Sequence, residues 1–146
     1  MNLNQEDYLK NRLDDQIAWY SKKSSRNQKM YKRLQMIIII TSVSIPFLSG
    51  YTGQYAFLNI IIGLIGVIIA SVTAILGLNK YQENWLEYRT TAESLIHQKY
   101  LYLTGTNPYH EEKAFTLLVQ EVEVLISKEN SNWSQQMKKP MAELKK

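Results

Sequence analysis

Charge is absent from one long part of this sequence. No Lys, Arg, Asp or Glu occurs from Leu34 to Asn79, although the chain holds 17 basic and 13 acidic residues elsewhere. A helix over 34–79 would be roughly 69 Å long at about 1.5 Å of rise per residue, whereas the hydrocarbon core of a bilayer is about 30 Å thick. The segment therefore predicts two membrane spans.

Cysteine is also absent, which excludes disulfide bonds and thiolate metal sites. The two histidines, His97 and His110, do not lie at a spacing that would hold zinc. Gly63 and Gly66 lie inside an apolar run rather than after a strand, so they do not form a phosphate-binding loop. Because no nucleophile and base occur at a catalytic spacing, the sequence predicts neither an enzyme nor a cofactor.

Two glycines, polar residues and two tyrosines interrupt the apolar sequence between Ser49 and Tyr55. This composition is typical of a turn at a membrane interface. We expect a first span over 34–49, a turn over 50–54 and a second span over 55–78. A connection this short predicts an antiparallel helical hairpin.

A basic cluster without any acidic residue precedes the first span: Lys22, Lys23, Arg26, Lys29, Lys32 and Arg33. Residues 1–33 hold eight basic and four acidic side chains, whereas residues 80–146 hold nine of each. Because basic residues favour the cytoplasmic side and the turn is uncharged, we expect both termini in the cytoplasm. The cluster also suits attraction to the lipid bilayer through anionic headgroups, and nucleic acid is the less favoured partner.

The polar flanks follow the period of packed helices. One seam with alternating steps of four and three comprises Leu13, Ile17, Tyr20, Ser24, Asn27, Tyr31, Leu34, Ile38 and Thr41. A second seam comprises Leu78, Tyr81, Trp85, Tyr88, Ala92, Leu95, Lys99 and Tyr102. We expect residues 1–33 to form a cytoplasmic helix that continues into the first span, and the second span to continue to Gly105. A turn centred near Gly53 would place Tyr20 near Trp85.

Another helix is expected after Gly105, which is a typical helix stop. Asn107 and Pro108 suit its N-cap and first position, with Glu111 and Glu112 near the positive helix end. Its apolar stripe comprises Phe115, Leu118, Val119, Val122, Leu125 and Ile126. We expect residues 79–133 to form a cytoplasmic helical extension and helix hairpin closed by Trp133. A flexible tail over 134–146, with a break at Lys138-Lys139-Pro140, is expected to follow.

The predicted fold class is thus an all-α membrane protein. It comprises a two-transmembrane antiparallel helical hairpin with long cytoplasmic extensions, and a third cytoplasmic helix packed on them. In the first span, the hydroxyls of Thr41, Ser42, Ser44 and Ser49 are expected to bond to their own helix. Pro46 predicts a kink in the same span.

A stripe of small or polar residues follows the second span: Asn59, Gly63, Gly66, Ala70, Thr73 and Gly77. Such a stripe allows helices to approach closely, either within the hairpin or between subunits. In an oligomer the same residues would line a water-filled path, with Asn59 and Thr73 offering polar groups. Because two helices cannot enclose a pore, conduction requires a homo-oligomer.

Aromatic and charged residues beside the seams are expected to couple the two cytoplasmic extensions: Asp15, Trp19, Tyr20, Trp85, Tyr88, Arg89 and Glu93. Arg89 is expected to pair with Asp14 or Asp15. Such an ion pair would fix the register of the two helices, or would act as a gate that a ligand or partner moves.

Residues along nearly the whole chain follow one pattern. Before the hairpin they are Asp15-Gln16, Trp19-Tyr20, Ser24, Asn27 and Tyr31. After it they are Trp85, Tyr88-Arg89, Thr91-Ala92-Glu93, Leu95, Tyr100, Pro108-Tyr109, Phe115, Val122-Glu123, Glu129-Asn130 and Trp133. This pattern resembles a family of bacterial two-transmembrane proteins, the domain of unknown function 4231.

That family is similar to the larger SLATT group of two-transmembrane domains, which is associated with nucleotide-sensing SLOG domains and with synthases of nucleotide second messengers. Its members are proposed to form membrane pores in bacterial conflict systems. The resemblance implies an oligomeric pore or channel-forming effector in the bacterial inner membrane. Its trigger would come from a separate nucleotide-sensing or signalling protein, or from a ligand of the bundle.

The alternative function is a membrane anchor that does not conduct and whose cytoplasmic bundle is a protein-docking platform. Neither span contains an ionisable residue, which is the usual sign of coupled transport. Active transport is therefore disfavoured, and passive conduction and anchoring stay open.

Overall fold

The structure is a computed structural model that describes residues 4–110 and 112–143, with side chains described as far as residue 128. Throughout these ranges it consists of helices and turns, which confirms the all-α prediction. The elements are α1 (Gln5–Tyr8), a π-helical segment (Leu9–Asp14), α2 (Asp15–Ser49), α3 (Leu58–Asn79), α4 (Tyr81–Leu103) and α5 (Ala114–Glu143).

The chain divides into two compact units. One comprises residues 25–85 and is called the apolar hairpin below; the other comprises residues 1–24 and 86–146 and is called the polar bundle. The polar bundle therefore combines segments from both sides of the hairpin. The sequence boundaries at residues 33 and 79 differ from this division, because they followed charge rather than packing.

In the apolar hairpin, α2 and α3 lie side by side, since residues of both helices line one cleft. The turn between them is longer than predicted, and α3 begins at Leu58 rather than Tyr55. Successive tight turns occupy the difference, with hydrogen bonds from the Tyr55 N–H to the Tyr51 carbonyl (3.1 Å) and from the Leu58 N–H to the Tyr55 carbonyl (3.0 Å). The α-helix α2 continues through Pro46 to Ser49.

The helix predicted to run on to Gly105 is interrupted at Lys80, which has a left-handed backbone conformation (φ 46°, ψ 39°). Side-chain amides bond to carbonyls at this break. The Asn84 Nδ2 donates to the Asn79 carbonyl at 3.0 Å, and the Asn79 Nδ2 donates to the Ile75 carbonyl at 2.9 Å. Neither glycine nor proline occurs at the break, so local composition does not predict it.

Gly105 ends α4 as predicted. It has a φ of +60°, and its N–H donates to the Tyr102 carbonyl at 3.1 Å. The Thr106 N–H donates to the Leu101 carbonyl at 3.0 Å. These two bonds form a Schellman motif, in which a left-handed glycine satisfies carbonyls at the end of the helix.

The core of the polar bundle combines residues from all of its helical segments. The buried apolar side chains are Tyr8, Leu13, Tyr20, Ala92, Leu95, Tyr109, Leu118, Val122 and Ile126. The two predicted seams supply Leu13, Tyr20, Ala92 and Leu95, and the predicted stripe of α5 supplies Leu118, Val122 and Ile126. Full burial of each large apolar side chain contributes about 1.5–3 kcal/mol. The third helix thus shares one core with the two extensions, as expected.

The predicted start of the third helix is wrong, since α5 begins at Ala114 rather than Pro108. The loop before it instead places Tyr109 in the core. The Tyr109 hydroxyl donates to the Gln98 Oε1 at 2.6 Å, and its N–H donates to the Thr106 carbonyl at 2.8 Å. These contacts hold the segment around Tyr109 in a loop, and α5 begins only at Ala114.

The end of α5 also differs from the prediction. The helix passes through 138–140, where a break was expected, and ends at Glu143. Residues 134–143 of the predicted tail are therefore helical. The predicted role of the Trp133 side chain lies outside the described side chains.

Candidate functional site: the open face of the apolar hairpin

α3 carries two neighbouring stripes that are offset by one residue. The first is half-buried and comprises Leu58, Ile62, Ile65, Ile69, Val72 and Leu76. The second is exposed and comprises the small and polar residues singled out above: Asn59, Gly63, Gly66, Ala70, Thr73 and Gly77. Because one residue corresponds to about 100° of rotation around a helix, the second stripe does not coincide with the packed face. We call it the open stripe.

The glycines of the open stripe have free space around them. A β-carbon added at Gly63, Gly66 or Gly77 would meet no heavy atom within 4 Å. At these three positions the single chain therefore makes none of the close contacts that packing within the hairpin would require. The space is available to a group outside the single chain.

Polar side chains in the apolar hairpin bond to their own helices. The Asn59 Nδ2 donates to the Ala56 carbonyl at 3.2 Å, and the Ser71 hydroxyl donates to the Val67 carbonyl at 2.8 Å. In α2, the Thr41 hydroxyl donates to the Ile37 carbonyl at 2.6 Å. Local bonding by hydroxyls is thus confirmed at Thr41. The same applies to Ser44, which donates to the Thr41 carbonyl at 2.7 Å.

Large apolar side chains cover the outside of the hairpin. Six of them are 60–70% exposed: Ile40, Val43, Phe47, Ile60, Leu64 and Val67. Soluble monomers rarely expose a continuous apolar surface of this kind. The chain has two helices long and apolar enough to cross a membrane.

The opposite end of the hairpin from its turn is polar and basic. Arg26, Lys29, Lys32 and Arg33 are exposed on α2. Beside them, a cleft of about 320 Å³ lies between α2 and α3. In the polar bundle, Lys22 is exposed, and the Lys23 Nζ lies 5.3 Å from the centre of the Trp19 ring.

A cation–carboxylate cluster ties the start of the chain to α5 in the polar bundle. Arg12 of the π-helical segment donates from Nε and Nη2 to the two carboxylate oxygens of Glu123, at 3.1 and 2.9 Å. The Tyr8 hydroxyl donates to the same carboxylate at 3.3 Å. This bidentate geometry is the favoured arrangement of an Arg–carboxylate pair.

The cluster shifts the proton affinity of its members. Hydrogen bonding from Arg12 holds the pKa of Glu123 below its ordinary value, and hydrogen bonding to Glu123 raises the pKa of Arg12. Burial raises the pKa of Tyr8 to about 12, and the negative charge of Glu123 acts in the same direction. The charged forms of Arg12 and Glu123 and the neutral form of Tyr8 are thus all favoured by folding.

A second ion pair joins the π-helical segment to α4, and it corrects a prediction. The Lys99 Nζ donates to the Asp14 Oδ1 at 2.6 Å. Arg89, which was expected to pair with Asp14 or Asp15, instead pairs with Glu93 of its own helix, and both side chains are exposed. A pair within one helix cannot fix the register of two helices, whereas the Lys99–Asp14 pair joins two elements.

The aromatic residues beside the seams form a cluster in the polar bundle. Trp19 lies edge-on to Tyr20 and to Tyr88, with ring centres 4.9 and 5.9 Å apart. Tyr20 lies 6.1 Å from Tyr88, three residues beyond the predicted neighbour Trp85. The expected proximity of Tyr20 and Trp85 stays a prediction. Asp15 is the first residue of α2.

An open groove of about 500 Å³ lies on the polar bundle. It is lined by Arg89, Thr90, Glu93, Ser94, His97, Gln98 and Leu125. Its lining brings the predicted coupling residues Arg89 and Glu93 together with a histidine and two hydroxyls. Within the residues that the structure describes, no three His, Asp or Glu side chains are grouped to hold a metal ion.

Sequence reasoning missed the roles of Arg12, Glu123 and Lys99. One signal was present for Lys99, because it is a charged residue at an apolar seam position and therefore requires an opposite charge across the seam. Arg12 and Glu123 are separated by 111 residues, and each lies next to an apolar core residue. Nothing in their local spacing indicates that they pair.

These features define an all-helical protein with two long apolar helices and a separate polar bundle. The model of the family described as "Protein of unknown function (DUF4231)" matches residues 15–115. The match covers most of the chain, which therefore belongs to this family, as its sequence pattern indicated. No match was found among the curated proteins or among the solved structures.

Proposed function

We propose that this chain is an oligomeric protein of the bacterial inner membrane whose apolar hairpins assemble into a pore. In this proposal α3 and the second half of α2 span the bilayer, with both termini in the cytoplasm. The exposed Ile, Leu, Val and Phe side chains support insertion, because hydrocarbon is the solvent in which such a surface is stable. The basic residues before the first apolar span support the orientation.

The main observation that supports the proposal is the open stripe of α3. Its glycines are not occupied by packing within one chain, and they lie on an exposed face of an apolar helix. Since small residues let the backbones of membrane helices approach closely, the stripe suits a helix of a neighbouring subunit. A ring of subunits would surround a path with Asn59 and Thr73 near it.

The similarity to SLATT proteins supports an effector role in bacterial conflict or stress. The polar bundle would then receive the trigger, either a ligand or a separate nucleotide-sensing or signalling protein. The groove beside Arg89 and Glu93 is where such a partner would act. In this assignment, binding at the groove of the polar bundle controls the pore.

Ion flux from liposomes that contain the purified protein tests the pore. Gly63→Leu and Gly66→Leu place bulk on the open stripe and are expected to reduce flux at least tenfold. Ala74→Leu, which adds bulk at an exposed position one residue off the stripe, is the matched control and should change flux less than twofold. Unchanged flux in both glycine variants, with helicity intact by circular dichroism, would refute the proposal.

The second candidate function is a membrane anchor whose polar bundle is a docking platform. The observation that favours it is the groove of about 500 Å³, which is open, mixed in polarity and independent of the hairpin. In that case no liposome preparation conducts ions under any trigger. Substitution of Ser94 by a large residue in the groove would then abolish recruitment of the partner without changing membrane insertion.

A further inference from the structure

The cleft in the apolar hairpin joins a polar region to an apolar one. It is lined by Tyr31, Gln35, Thr73, Leu76, Gly77, Lys80, Gln82 and Glu83. Four of these residues lie inside the charge-free segment that runs from Leu34 to Asn79, and four lie outside it. The cleft therefore spans the boundary at which the apolar helices end.

Positive charge dominates this end of the hairpin. Residues 25–85 contain five basic side chains and one acidic side chain, Glu83. Glu83 also lines the cleft, and its Oε2 is 3.6 Å from the Lys80 Nζ. The side chains of Lys80 and Glu83 are 46% and 63% exposed. Exposed pairs of this kind contribute little, so Lys80 is able to accept another anion.

The backbone at Lys80 is held in place. Its N–H donates to the Leu76 carbonyl at 3.2 Å, its carbonyl accepts from the Asn84 N–H at 3.0 Å, and the Asn84 side chain bonds to the Asn79 carbonyl. One helical turn earlier, Gly77 leaves open space, since an added β-carbon would meet no heavy atom within 4 Å. The Lys80 side chain therefore extends from a hydrogen-bonded backbone position, next to the open space at Gly77.

We propose that this cleft binds the headgroup of an anionic phospholipid. The phosphate lies against Lys80, the amides of Gln35 and Gln82 donate to its oxygens, and the acyl chains follow the apolar surface of α3. The inference rests on the proposed insertion of the hairpin and is independent of the pore. The excess of basic residues at this end of the hairpin favours an anionic ligand, and the boundary position favours one that carries an apolar tail.

Native mass spectrometry of the full-length protein in mild detergent, titrated with phosphatidylglycerol or phosphatidylcholine, tests the site. The unmodified protein is expected to bind phosphatidylglycerol at least tenfold more tightly. Lys80→Gln should weaken that binding at least fivefold. Lys32→Gln removes an equal charge at the same end of the hairpin but outside the cleft lining, and should weaken it less than twofold.

A second pair of variants tests the recess rather than the charge. Gly77→Leu fills the cleft and should weaken phosphatidylglycerol binding at least fivefold, whereas Ala74→Leu adds bulk at an exposed position of α3 outside the cleft lining and should not. Circular dichroism confirms that each variant is folded. If Lys80→Gln and Lys32→Gln cause equal losses, the attraction is diffuse and the proposed site is wrong.

The remaining measurements separate this inference from the proposed function. Competition by millimolar glycerol phosphate would assign the site to soluble anions and would also overturn it; no competition is expected. Resistance to carbonate extraction measures insertion, and ion flux measures the pore. Inserted protein that binds phosphatidylglycerol through the cleft but conducts no ions contradicts the pore alone. Inserted protein that conducts ions without such binding contradicts the lipid site alone.

Discussion

The apolar hairpin and the polar bundle place their apolar side chains in opposite ways. In the bundle, Leu13, Leu95, Leu118 and Val122 have no exposed surface. In the hairpin, all of whose residues 25–85 are described, none is buried, and many large apolar side chains, such as Phe47 and Ile60, are more than 60% exposed. The bundle therefore builds a core that excludes water, whereas the hairpin keeps much of its apolar surface on the outside.

Truncation of a core residue should give the largest contrast between the two units. Leu118→Ala in the bundle is expected to reduce the free energy of unfolding by about 2–5 kcal/mol, because it removes a fully buried side chain and leaves a cavity. Leu64→Ala in the hairpin should change it by less than about 0.5 kcal/mol, since that side chain is exposed. Denaturant unfolding of the purified protein in detergent measures both, and similar losses would remove the contrast.

Changes in pH should affect the bundle more than the hairpin segment 34–79, which holds no Lys, Arg, Asp or Glu. Because the folded pKa of Glu123 lies below its ordinary value of 4.5, its contribution is present above that pH and is lost as the pH falls below it. The pKa of Tyr8 is raised from 10.0 to about 12, so its contribution is present below pH 10 and is lost as the pH rises towards 12.

Thermal unfolding of the bundle, followed by near-ultraviolet circular dichroism across this pH range, should show both losses. Glu123→Gln should flatten the acid limb, and Tyr8→Phe should flatten the alkaline limb. An acid limb of the same size in Glu123→Gln would assign acid sensitivity to other carboxylates.

The smallest effect concerns two ion pairs within the bundle. Arg89→Ala is expected to change the free energy of unfolding by less than about 0.5 kcal/mol, since Arg89 and Glu93 are exposed on one helix. Lys99→Ala should cost more, about 1 kcal/mol, because it breaks a contact between two elements. If Arg89→Ala abolishes ion flux at unchanged stability, Arg89 acts as a gate rather than as a structural residue.

The hydrophobic periodicity of the sequence predicted which residues form the core of the polar bundle. The seam through Leu13 and Tyr20, the seam through Ala92 and Leu95, and the stripe of α5 all supply core residues. The hydrophobic effect imposes the same period on any amphipathic helix, so these positions are readable without a structure. The charge-free segment likewise falls, apart from the turn between them, within the two long helices that are apolar enough to cross a membrane.

Features that depend on a single residue were not predictable in this way. Lys80 adopts a left-handed conformation without being glycine, and Asn79 and Asn84 support it through side-chain bonds that many Asn residues never form. Tyr109 delays the start of α5 because it enters the core. The open stripe was recognised, but which face of α3 would remain open depends on the register of the hairpin.

The salt bridge between Arg12 and Glu123 constrains the order in which parts of the protein can fold during synthesis. These residues are 111 positions apart, and the whole apolar hairpin lies between them in the sequence. Tyr8 and Leu13 cannot be covered by Leu118 and Val122 until the ribosome has already synthesised both apolar helices. The hairpin must therefore leave the ribosome before the bundle can close. Any delay at that stage leaves the Tyr8 and Leu13 side chains exposed until α5 has been synthesised.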